Sequence, residues 1–94
     1  MDEAMKSLRQ EYVTEFYIKE LEKQMGYWFV KKRRPQVEAL VRDILGKCDE
    51  TTTLGDLLSF FHSPYMVMCG VTFCIILNMT ELMFEEKKEE KING

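Results

Sequence analysis

With 46% hydrophobic and 31% charged side chains, two prolines and five glycines, these 94 residues make one domain and exclude a disordered or collagen-like chain. A net charge of −3 and a pI of about 5.2 exclude a general polyanion binder, although the charge is uneven, with four basic and six acidic groups in residues 1–25 and a basic block at Lys31-Lys32-Arg33-Arg34. A domain of this size buries only about two-thirds of its unfolded surface, so docking onto a partner would add to its stability.

From Asp2 to Met25 the pattern is helical. Met5, Leu8, Tyr12 and Phe16 follow one stripe, which Val13, Tyr17, Leu21, Met25 and Trp28 continue with a drift. Gly26 is a helix stop, and Tyr27-Trp28-Phe29-Val30, aromatic and β-branched, reads as a short strand or a packed turn. After the basic block, Pro35 starts a second helix, in which Val37, Leu40, Val41, Ile44 and Leu45 make a clean amphipathic face before Gly46 ends it.

Asp49 through Thr53 reads as a turn with a short β segment at the threonines. Thr53 is the N-cap of a third helix, with Asp56 completing a capping box and Leu54, Leu57, Leu58 and Phe61 as its apolar residues. His62-Ser63-Pro64 breaks that helix and, with Ser63 as N-cap and Pro64 at the first helical position, starts a fourth. This fourth helix, Pro64 to Leu82, has almost no polar face, so its own domain, a partner or lipid must cover it on all sides. Val71, Phe73, Ile76 and Leu77 are the expected core contacts. Leu82-Met83-Phe84 then leads into Glu85–Lys91, read as a terminal strand or ribbon, or a frayed charged tail.

Little here points to catalysis. His62 is the sole histidine and has no nucleophile or carboxylate at a telling spacing, so a local polar contact at the turn is its reading. Glu85, Glu86, Glu89 and Glu90 alternate with lysines as a solvated face, not a metal site. Cys48, Cys69 and Cys74 are odd in number and lack a C-x-x-C spacing, which reads as reduced thiols of a cytoplasmic, or in a eukaryote nuclear, protein. The start of the chain, charged and amphipathic from Asp2, does not look like a signal peptide. Asn78-Met79-Thr80 matches a glycosylation sequon but lies in an apolar segment. No cofactor is expected, and the chain reads as a non-enzyme.

Partner binding is better supported. The helix after the tight turn has no cation, so direct readout of DNA bases is not expected. Tyr65–Phe84 has the length of a membrane span, but Asn78, Thr80 and Glu81 near one end and the amphipathic neighbours argue against insertion. The methionines concentrated in and beside this helix suit an adaptable protein interface. Met68, Ile75, Met79 and Leu82, with Phe84 extending them by edge pairing, are therefore the expected partner-binding residues. Lys31, Lys32, Arg33 and Arg34, next to Tyr27, Trp28 and Phe29, are a basic patch: a solvated connector, a dock for an acidic partner surface, or a site for phosphate or stacked single strands.

The order of helix, threonine-rich segment, short helix, tight turn, long helix and charged ribbon is that of a winged-helix domain. Val37-Glu38-Ala39-Leu40 onward, Thr53-Leu54-Gly55-Asp56-Leu57-Leu58, Val71 through Met79, and Phe84-Glu85-Glu86 through Ile92 resemble the C-terminal winged-helix domain of kleisins, especially the bacterial segregation and condensation protein A family. The resemblance implies binding to the ATPase head of an SMC protein in chromosome organisation, with the ATP chemistry left to the partner. The expected architecture is thus mainly α: an N-terminal amphipathic helix and basic connector at 1–35, and a winged-helix-like domain of helices with a short β ribbon at 36–94. The competing expectations are a self-associating helical protein and a small acidic phage or bacterial inhibitor or adaptor.

Overall fold

A computed structural model describes residues 3–49 and 51–93, with side chains through Glu86. The described residues form α1 (Glu3–Met25), α2 (Tyr27–Lys32), α3 (Arg34–Gly46), α4 (Leu54–His62) and α5 (Pro64–Asn93). The chain is mainly α as expected, but no described residue is in a strand, so the winged-helix reading with its β ribbon is wrong. Where the ribbon was expected, α5 simply continues. No glycine or proline separates Leu82 from Ile92, and the intervening glutamates and lysines are strong helix formers, so nothing local turns the chain.

The threonine segment is likewise no strand. Asp49 Oδ1 accepts hydrogen bonds from the Thr51 backbone N–H at 2.9 Å and the Thr51 hydroxyl at 2.5 Å, an Asx turn that competes with extended structure. These bonds hold the Asp49 carboxyl below its ordinary range. Thr53 and Asp56 then close the expected capping box, each backbone N–H donating to the other's side chain at 3.1 Å. Ser63 caps α5 by accepting from the Met66 N–H at 3.2 Å.

Tyr27–Val30 is helical as well. Gly26, at φ +91°, ends α1 in a conformation that L side chains rarely adopt, and the chain restarts one residue later. Val30 then points into the core while Tyr27 and Trp28 stay exposed, with the Lys31 ammonium 5.0 Å from the Trp28 ring centroid.

α1 packs against all four other helices, and α4 also packs against α5. Val13, Tyr17 and Leu21 lie at i, i+4 and i+8 on α1 and, with Thr14 and Ile18 beside them, form its buried face. The core is completed by Val30 of α2, Val37 and Val41 of α3, Leu57 and Phe61 of α4, and Met66 and Cys74 of α5. Tyr17 and Phe61 meet edge to face at 4.9 Å between centroids. The sequence reading set residues 1–35 apart from the domain; in the fold they supply its central helix.

Candidate functional site

α5 is fastened to the body along one face only. Met66, Gly70 and Cys74, four residues apart, are buried, and Val71 packs against the core from the side. The Tyr17 hydroxyl donates to the Met66 carbonyl oxygen at 2.7 Å. This close approach requires glycine at position 70, because a Cβ there would collide with the Tyr17 hydroxyl and lie 2.6 Å from Leu21 Cδ2. Burial pushes both the Tyr17 phenol and the Cys74 thiol up, the latter partly offset by the Arg33 charge.

One turn beyond Cys74 the attachment becomes polar. Arg33, only 2% exposed, donates to the Phe29 carbonyl at 2.8 Å, to Glu81 Oε2 at 3.0 Å and to Asn78 Oδ1, with its guanidinium carbon 3.9 Å from the Phe29 ring centroid. Asn78 and Glu81, the polar interruptions of an otherwise apolar helix, are thus accounted for by one buried cation.

The opposite face of α5 has no cover. Tyr65, Met68, Ile75, Ile76, Met79, Leu82 and Met83 are all 45–74% exposed. By length and composition Pro64–Glu86 is apolar enough to cross a membrane: an 18-residue window within it has a mean hydropathy of 1.8, and only 11% of that window is buried in the domain. Met68, Ile75, Met79 and Leu82 share this outer face. Phe84 is exposed too, but it lies in phase with Gly70 and Leu77 on the body-facing side of the helix, not on the outer face, and as part of a helix it offers no strand edge for pairing. Ile76, expected in the core, is exposed, while Phe73 and Leu77 are half-buried. The true core contacts, Met66 and Cys74, were hidden because every position of α5 looks equally apolar.

The structure does not gather the basic block into one surface. Lys31 and Lys32 are exposed on α2, Arg33 is buried against α5, and Arg34 pairs with Glu38 at 2.7 Å and with Glu15. His62 Nδ1 lies 3.4 Å from Glu20 Oε2 at the surface. Among the described residues no cluster of three or more His, Cys, Asp or Glu side chains is placed to hold a metal ion. A cleft of about 460 Å³ between α1 and α3 is bordered by Lys6, Arg9 and Arg42, but the Arg9 guanidinium is taken up by the Thr52 carbonyl. No family model matches the chain, and no curated protein or solved structure is similar to it.

Proposed function

We propose that this chain is a non-catalytic helical interaction module that docks through the outer face of α5. The observation that carries the reading is the set of seven large apolar side chains exposed on the outer side of a helix whose inner face alone is packed. Monomeric soluble proteins rarely expose a contiguous apolar patch above about 300–600 Å², and larger ones mark protein or membrane contacts. Protein is favoured over lipid by what lies behind the helix. Spanning a bilayer in this conformation would carry the Arg33–Glu81 pair and the charged flank of α1 into hydrocarbon beside the apolar stretch. A cytoplasmic or nuclear setting goes with this reading and is supported by the three unpaired cysteines, two of them exposed. The SMC-head partner implied by the kleisin resemblance leaned on a wing that the chain does not form, so it adds no support.

The test is cross-linking in the native host with wild type, Leu82→Asp and Lys31→Ser/Lys32→Ser. Cross-linked products should vanish with Leu82→Asp and persist with the lysine variant. Products that survive Leu82→Asp would move the docking surface off α5.

A further inference from the structure

The outer face of α5 has a spacing as well as a composition. Tyr65, Met68, Thr72, Ile75, Met79, Leu82 and Glu86 follow one another at alternating steps of three and four residues, and every one of them is exposed. Three- and four-residue steps are the a/d seam of a coiled coil, whose repeat of 3.5 residues keeps one stripe facing a partner helix. Lipid imposes no such phase. We propose that the occupant of this face is a second copy of the chain, its α5 laid antiparallel along the first. This rests on the docking role of α5 proposed above.

Direction follows from the seam residues. A parallel pair would set Thr72 against Thr72 and Glu86 against Glu86, two like charges in one layer. The antiparallel pair centred between Phe73 and Cys74 instead layers Tyr65 on Leu82, Met68 on Met79 and Thr72 on Ile75. Glu85 and Glu86 then lie past the seam, beside the start of the partner's α5, where the helix dipole favours carboxylates and where His62 is exposed. The seam residues from Tyr65 to Glu86 are exposed, while Tyr17 of α1 and Arg33 hold the opposite side of the helix.

The area is sufficient. An aromatic side chain offers about 150–250 Å² and Met, Leu or Ile somewhat less, and five apolar seam residues flanked by Ile76 and Met83 are each roughly half exposed or more. The exposed share is on the order of 600 Å² per copy, or about 1,200 Å² per pair, which reaches the lower bound of a specific interface.

The experiment is sedimentation velocity on the purified full chain across a concentration series, beside Ile75→Glu and Met79→Asp, with circular dichroism confirming that each variant is folded. Wild type should shift from monomer to dimer as concentration rises, and each variant should weaken the dimer on the order of a hundredfold. In a Cys48→Ser/Cys69→Ser background, Met68→Cys with Met79→Cys should form an intermolecular disulfide that Met79→Cys alone does not. Three outcomes would overturn the proposal: a wild-type chain that stays monomeric throughout, an efficient bridge from Met79→Cys alone, or flotation of wild type with neutral phosphatidylcholine vesicles in place of dimerisation. A monomeric chain that still loses its cross-linked host proteins on Leu82→Asp sinks self-pairing but leaves the docking reading intact. Seam variants that change neither association sink both.

Discussion

α1 and α5 invert the usual relation between composition and position. α1 is charged and weakly amphipathic, yet it meets every other helix and supplies Val13, Tyr17, Ile18 and Leu21 to the core. α5 holds the longest apolar stretch of the chain, yet little of that stretch is buried. Burial in a small domain is set by how many neighbours a helix has, not by how apolar it is. A central helix needs only a narrow stripe, because four partners crowd onto it. A peripheral helix gains one packed face whatever its sequence, and apolar side chains beyond that face do not add to the core.

This contrast makes sharp demands on mutants. Tyr17→Ala should give the largest loss, about 3–5 kcal/mol, because it empties the aromatic contact with Phe61 and removes the hydroxyl that ties α1 to the Met66 carbonyl. Chemical denaturation measures it, and a loss below 1 kcal/mol would mean that α1 is not the hub. Gly70→Ala comes next: one methyl on the packed face of α5 should cost about 1–3 kcal/mol by overpacking against Tyr17 and Leu21. Thr53→Ala removes half of the capping box of α4 and should cost about 1 kcal/mol in the same assay.

A pH titration probes the same cap. The Asp56 carboxyl is held below its ordinary range, first by the Thr53 backbone N–H and then by its hydroxyl. A carboxyl depressed in the folded state stabilises at pH above the unfolded value, about 3.9, and loses that contribution as pH falls through the lower folded value. Asp56→Asn should therefore narrow the gap in thermal midpoint from wild type as the solution is taken from neutral pH to below that window. The smallest expected stability change is on the outer face. Leu82→Asp should leave a monomeric sample within about 0.5 kcal/mol of wild type, since an exposed side chain is being exchanged. A loss as large as that of Gly70→Ala would show both faces of α5 to be core.

What could be read from the sequence was local. The Thr53–Asp56 box, Ser63 before Pro64 and the Val37–Val41 stripe each involve residues within a turn or two of one another, and each stands in the structure as read. Two of the three β expectations came from weak local preferences, three threonines and an aromatic run, which an Asx turn at Asp49 and a helix restart at Gly26 overrode, and the third, the terminal ribbon, fell where helix-forming glutamates and lysines carry α5 onward. Met68, Ile75, Met79 and Leu82 were legible as an outer face because they share one side of a helix that a domain this size could not cover. Arg33 was not. Its role depends on Asn78 and Glu81, more than forty positions away, and no local pattern distinguishes it from Lys32 or Arg34.

Gly70 has one further consequence, and it concerns angle. Successive residues of an α-helix are rotated by about 100°, so the direction in which any stripe looks is decided by which residue touches the body. The missing Cβ at position 70 is the notch into which the Tyr17 hydroxyl fits, and it fixes the roll of a 30-residue rod about its own axis. Were the notch one residue earlier or later, the same sequence would aim its outer face about a quarter turn away. The bearing of the outer face is therefore set by a residue that contributes no side chain at all.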